Sequence, residues 1–339
     1  MSEFIRVIAP GADSAEDQPA GRRGLRVVEA TVGIDSNNPQ LLDPAKFSLL
    51  LTDFHRLEVV PFDDALDAHL YVYDDPEVPP RLSVQRDRIV ASGAFSRLED
   101  ECSDPRFSLF GNEGLLFRYL LALLEDRHGI CSFHACAMYQ PDHDHLLIIA
   151  GGAGSGKSCF LMSALEQGLQ IFATEMVHFR IGDGLTFFKG SLLDNVRLAN
   201  LKLHYPDAVA ALDIEVPEAE DEWSTKLCVD LSGHQVVADT LVNPTVTVVL
   251  PHIEQQAPTH SLRPVTDPRL VIKALYDKAA EKVAGPVLLY ESLPMPPLQG
   301  PRAAARRLEA VARLAASSQL SRTVSVYAGP TTCLEGLLQ

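Results

Sequence analysis

The sequence predicts an α/β protein: a mixed-sheet core preceded by a strand-rich N-terminal subdomain, divided as residues 1–100 and 101–339. Three observations predict this. Short segments rich in Val, Leu and Tyr alternate with turns through the first hundred residues. An apolar strand, a glycine loop, a helix and another strand then follow in succession over residues 146–173. Finally, Gly182-Asp183-Gly184 reads as a three-residue hairpin, so the sheet cannot be purely parallel.

The elements follow in order. Pro10–Arg23 is rich in Gly, Pro, Asp, Ala and Arg without periodicity and reads as a mobile loop. Strand segments are expected at Leu25–Val32, Leu57–Val60, His69–Val72 and Arg88–Ala91, with a turn-rich stretch at Asp74–Pro80. Asn112 is placed to cap a helix with Glu113 in its first turn. Leu116, Leu120, Leu123 and Leu124 recur at helical spacing before Gly129 stops it. Strands are then expected at Ser132–Tyr139 and Leu146–Ala150, a helix at Lys157–Gln167, and strands at Leu169–Ala173, Val177–Ile181 and Leu185–Lys189. Further strands fall at Thr225–Leu231, His234–Ala238 and Pro244–Leu250. Two late helices, Arg269–Lys282 and Arg302–Ser317, complete the chain. In the last one Leu308, Val311 and Leu314 share an apolar face, with Arg302, Arg306, Arg307 and Arg313 on a solvated one. The acids between Asp213 and Glu222 read as a solvated loop, with Trp223 packed beneath it.

Composition excludes several classes. With 46% hydrophobic and 22% charged residues, 339 residues can bury a large core, which rules out disordered, fibrous and disulfide-scaffold readings. The net charge of −16 repels nucleic acid and anionic lipid, so neither is an expected partner. No apolar stretch approaches the ~20 residues of a membrane span, the strongest being Tyr119–Leu124 and Thr245–Leu250. The N-terminus shows no export signal, and the expected location is cytoplasmic. Six cysteines, scattered without a Cys-x-x-Cys pair, suit reduced and mostly buried thiols.

The chemistry concentrates in Gly151-Gly152-Ala153-Gly154-Ser155-Gly156-Lys157-Ser158, followed by Cys159. This run matches Gly-x-x-x-x-Gly-Lys-Ser/Thr at every defined position, with a strand before it and a helix after it. Glycines let backbone N–H groups wrap an anion, and the helix N-terminus adds a partial positive charge. Lys157 reaches outer phosphates, and the Ser158 hydroxyl suits Mg²⁺. The expected ligand is therefore ATP, or another nucleoside triphosphate, with Mg²⁺. Such a site also needs an acid near a neighbouring strand end. Glu175 fills that position, with Asp183 and Asp194 as rivals.

The stretch from Phe133 to Arg180 resembles the P-loop catalytic domain of the HPr kinase/phosphorylase family, a group related to phosphoenolpyruvate carboxykinase. The matching pieces are His134, the loop Gly151–Ser158, Gly168, and Ala173-Thr174-Glu175-Met176-Val177. The chain departs from the family at Gly152-Ala153, where HPr kinases carry Asp-Ser, and at Thr174-Glu175, which replaces an Asp-Asp pair. The resemblance implies an HPr kinase-like P-loop fold, phosphate and metal binding by Lys157 and Ser158, metal ligation or acceptor activation by Glu175, and a place for His134 near the phosphates. It makes Arg180 and Arg197 candidate contacts to phosphate or acceptor, and a homo-oligomer would be in keeping with the family.

Other constellations carry less. Asp142-His143-Asp144-His145 reads as a polar hairpin turn, because alternate residues of an extended chain point to opposite faces. No Gly-x-Ser-x-Gly elbow occurs, and His204, His252 and His260 lack partner spacing. The expected activity is transfer of the γ-phosphoryl group of ATP to a hydroxyl of a small metabolite or of a peptide or protein serine. The alternative is a nucleotide-binding regulatory ATPase without an acceptor.

Overall fold

A computed structural model of the chain describes residues 4–6, 21–43, 56–63, 65–257 and 259–338. It is a mixed α/β protein with mixed sheets, and among the described residues no helix is long and apolar enough to cross a membrane. The chain forms two compact units that do not follow chain order. One comprises residues 11–131 and 280–307; the other comprises residues 1–10, 132–279 and 308–339.

The first unit is built on a six-stranded sheet, ordered Glu58–Val60, Arg22–Val27, Ala30–Ser36, Ala68–Asp74, Arg88–Gly93, Arg81–Val84. Its three central strands run parallel and the outer ones antiparallel. The expected Leu25–Val32 segment is broken at Val28, whose φ of 53° makes the turn between the first two long strands. Most of the expected Pro10–Arg23 loop lies outside the described residues; its last two residues already belong to a strand. The Leu115–His128 helix buries Leu116, Leu120, Leu123 and Leu124, each such side chain contributing about 2 kcal/mol. Gly129 ends it at φ 63°, its N–H returning to the Leu124 carbonyl. Asn112 does not cap it. Gly114 occupies the cap because the chain packs so tightly that a Cβ there would lie 1.9 Å from the Ser108 carbonyl oxygen.

In the second unit a nine-stranded sheet has a parallel heart of His145–Ala150, Thr245–Ile253 and Leu320–Ala328. Cys131–Gln140 runs antiparallel to the first of these, and the Gly182-Asp183-Gly184 hairpin joins Met176–Ile181 to Leu185–Phe188 as expected. The faces are apolar; Phe133 and Phe179, for example, stack at 4.6 Å. The Lys157–Glu166 helix buries Phe160, Leu161 and Met162 in the same core as Leu147 and Ile149. A separate small sheet pairs Leu193–Arg197 with Lys226–Asp230, and the latter with Phe4–Arg6.

Several expectations change. His234–Ala238 is no strand: a 3-10 turn covers Ser232–His234, and Gln235 makes only an isolated bridge to Ile171. Two short helices, Leu198–His204 and Pro206–Ala211, precede the acidic loop, and Lys202 of the first pairs with Glu218 and Glu222 of the loop. Trp223 is 41% exposed and not packed beneath that loop. In the last helix, Pro301–Ala315, the pattern inverts at two positions. Leu308 is 48% exposed, while Arg307 is buried because Glu125 takes its guanidinium in a bidentate pair at 2.6 Å. All six cysteines are free and four are buried.

Candidate functional site

The glycine loop follows the carboxyl end of His145–Ala150, the end of a parallel strand where α/β proteins build their sites. Local sequence dictates its path. Gly154 and Gly156 adopt φ of 77° and 93°, a region that side chains disfavour. At Gly156 a Cβ would also lie 2.4 Å from Ile253 Cγ1, and at Gly151 it would meet Ser155 Oγ at 2.2 Å. No side chain caps the Lys157–Glu166 helix. The N–H groups of Cys159 and Phe160 turn back to the Gly156 carbonyl, while those of Lys157 and Ser158 have no partner among the described residues.

Lys157 folds over its own loop. Its ammonium donates to the Gly151 and Gly152 carbonyls at 2.9 and 3.1 Å and to His134 Nε2 at 3.0 Å, which uses all three of its hydrogens. In that contact the ammonium donates and His134 Nε2 accepts. His134 is buried on the Cys131–Gln140 strand, and its Nε2 lies 3.7 Å from Glu175 Oε1. Glu175 sits in the bend between Gln170–Ala173 and Met176–Ile181, with its backbone carbonyl held by the Ala135 N–H.

The second acid is Asp194, the rival that sequence placed behind Glu175. It comes from the separate three-stranded sheet and closes on the helix start beside Ser158, Lys157 and Glu175. The residue as a whole is half-buried, but its Oδ2 is buried and has no hydrogen-bond partner among the described residues. Burial pushes its carboxyl up to about 6, against the opposing pull of the Ser158 hydroxyl and the Lys157 ammonium; the Glu175 charge adds to the rise. Ser155 Oγ, inside the loop, is likewise buried and unpartnered. Two orphaned polar atoms facing one loop are atypical, since buried polar groups are ordinarily hydrogen-bonded.

Thr174, where the resemblance has an acid, is turned away from the site. Its N–H and hydroxyl address the Ser191 carbonyl at 2.8 and 3.1 Å, and the hydroxyl also addresses the Leu193 carbonyl, the residue before Asp194.

Thus His134, Gly151–Ser158, Glu175 and Asp194 converge. Cys159 lies just inside the helix with its thiol buried and pushed up to about 11, so only its backbone is available to the loop. Arg197 follows Asp194 by three residues and donates to the Trp223 carbonyl. Arg180 lies five residues beyond Glu175 on Met176–Ile181, with its guanidinium over the Phe188 ring. Asp183 lies farther still, in the hairpin turn between Met176–Ile181 and Leu185–Phe188. The Asp142–His145 motif forms the expected polar turn, where Tyr139 donates to Asp144. Among the described residues no group of three or more His, Cys, Asp or Glu is gathered for a metal ion. Compared with known proteins, the chain matches no family model and no curated sequence.

Proposed function

We propose that this protein is an ATP- and Mg²⁺-dependent kinase of the HPr kinase-like P-loop type, transferring the γ-phosphoryl group to a hydroxyl of a small metabolite or of a peptide or protein serine. The observation that carries this reading is the buried, unpartnered Oδ2 of Asp194 beside Ser158 at the mouth of the glycine loop.

Asp194 and Ser158 fit a hard divalent cation. Mg²⁺ is ordinarily held by one or two carboxylates, a hydroxyl, waters and phosphate oxygens, and needs no protein-only cage. When bound, it would supply neutralisation of phosphate charge. The loop amides and Lys157 suit the phosphates themselves, with Lys157 exchanging its two carbonyl contacts for phosphate oxygens. In the transfer, the acceptor oxygen bonds to the γ-phosphorus as the bond to the β,γ-bridging oxygen breaks, and ADP leaves. The hydroxyl proton passes to a carboxylate. Glu175, with 23% of its side chain exposed, is the acid that an acceptor would reach, and Asp194, beside Ser158, is the one that would hold the metal.

The test is label transfer from γ-labelled ATP with Mg²⁺ into a cell extract separated into small-molecule and polypeptide fractions, comparing the natural chain with Lys157→Ala. Label in one fraction that the variant loses by at least a hundredfold is expected. Acceptor-independent release of phosphate would favour the regulatory ATPase instead, and no binding of Mg-ATP in calorimetry would end both readings.

A further inference from the structure

The unit formed by residues 11–131 and 280–307 contains a cavity of about 450 Å³, a volume typical of sites for small organic ligands. Part of its wall is apolar, supplied by Tyr119, Leu123 and Leu298, and three guanidiniums also line it, those of Arg86, Arg302 and Arg306.

The charge around this cavity does not balance. Asp126 is shared: Arg86 Nε reaches its Oδ2 at 2.7 Å and Arg306 reaches its Oδ1. Glu125, the other acid on the wall, is already neutralised by its bidentate pair with Arg307. Arg302 makes no hydrogen bond or ion pair among the described residues. Three guanidiniums therefore line the cavity with one carboxylate, Asp126, shared by two of them, a surplus of two positive charges in a chain whose net charge is −16. Asp126 also fixes two of the arginines in place, so less side-chain freedom is lost when they meet a ligand.

We propose that this cavity binds a small amphipathic anion, an organic molecule ending in a carboxylate, sulfonate or phosphate, with its apolar body against Tyr119, Leu123 and Leu298 and its anionic group on Arg302 beside the Arg86–Asp126–Arg306 bridge. Guanidinium groups match such oxyanions through paired N–H donors, and the apolar wall selects an organic body over an inorganic ion. The site is independent of the nucleotide reading, because none of these residues belongs to the unit that carries the glycine loop.

The experiment is a fluorescence titration of the full chain with 8-anilinonaphthalene-1-sulfonate, repeated with N-phenyl-1-naphthylamine, the same skeleton without the sulfonate. One saturable sulfonate-probe site is expected. Arg302→Gln should weaken the sulfonate probe tenfold or more while changing the uncharged probe less than twofold, and Arg302→Lys should recover most of the loss. Ala122→Phe, which fills the cavity from the Leu115–His128 helix, should abolish saturable binding of both probes. Ala303→Leu does the same from another part of the wall if the first variant loses its cooperative thermal transition. Absence of a saturable site, sulfonate affinity within twofold in Arg302→Gln, or retained binding in a folded cavity-filled variant would each overturn the proposal.

Discussion

Replacing Asp194 by Asn should make the magnesium-free protein more stable and at the same time remove its response to Mg-ATP. The carboxyl titrates at about 6 in the fold against 3.8 outside it, raised chiefly by burial. An acid whose folded pKa is raised favours folding in its protonated form. Its charge is therefore a penalty that is absent below pH 3.8, grows through the interval to about 6, and is complete above it. With 1.36 kcal/mol per unit, the penalty is about 3 kcal/mol at pH 8 and about 1.5 kcal/mol at pH 5. Asn has the same shape and no charge, so urea unfolding in EDTA should give the variant up to about that advantage at pH 8 and half of it at pH 5. Trp223, the single tryptophan, lies in the unit that carries Asp194 and reports its unfolding. In the natural chain, saturating Mg-ATP should raise the midpoint by ligand linkage; in the variant it should not. A variant no more stable at pH 8, or one still stabilised by Mg-ATP, would refute the assignment of Asp194 as a destabilised, ligand-facing carboxylate.

Three further outcomes follow. His178, buried against Ser132 at 2.7 Å, is held by burial at about 4 rather than 6.5. A lowered imidazole contributes stability that is complete above pH 6.5 and lost as pH falls towards 4, up to about 3 kcal/mol. That loss is offset in the natural chain by the opposite slope of Asp194, so unfolding measured from pH 7 to 4 in the Asp194→Asn background should expose it, and His178→Gln should flatten it. Arg307→Ala should destabilise by about 3–5 kcal/mol by leaving Glu125 buried and uncompensated, while the double change Glu125→Leu/Arg307→Met should restore most of the unfolding free energy. Thr174→Val keeps the shape but deprives the Leu193 carbonyl of its donor; about 1–3 kcal/mol of stability and at least tenfold in Mg-ATP affinity by calorimetry should be lost.

The parts of this molecule that were legible in the sequence are those set by neighbours along the chain. The glycine loop needs positive φ at Gly154 and Gly156, the leucine spacing of the Leu115–His128 helix needs only one apolar stripe, and the Gly182–Gly184 hairpin needs only its turn. What escaped depends on partners distant in the chain. Arg307 reads as a solvent-facing residue until Glu125, 182 residues earlier, is seen to take it. Asn112 has the chemistry of a helix cap, yet the close approach of Gly114 to Ser108 decides where the helix begins. Asp194 lies on a strand of a different sheet from the loop it faces, and nothing in its local sequence signals that Oδ2 is buried.

Thr174 shows how a side chain outside the acidic cluster can position one of its members. At that position the backbone N–H donates to the Ser191 carbonyl and the hydroxyl is directed to the Ser191 and Leu193 carbonyls. An Asp there would keep the backbone N–H bond to the Ser191 carbonyl but would bring carboxylate oxygens, which only accept, against the Ser191 and Leu193 carbonyls that the hydroxyl now serves. The segment leading to Asp194 would then lose its side-chain tether. The threonine therefore fits a division of labour in which position 174 supplies a donor that seats the 191–193 segment, and the second carboxylate arrives on that segment, twenty residues later. On this argument Thr174 and Asp194 form one unit, the donor at 174 holding the segment that delivers the carboxylate at 194.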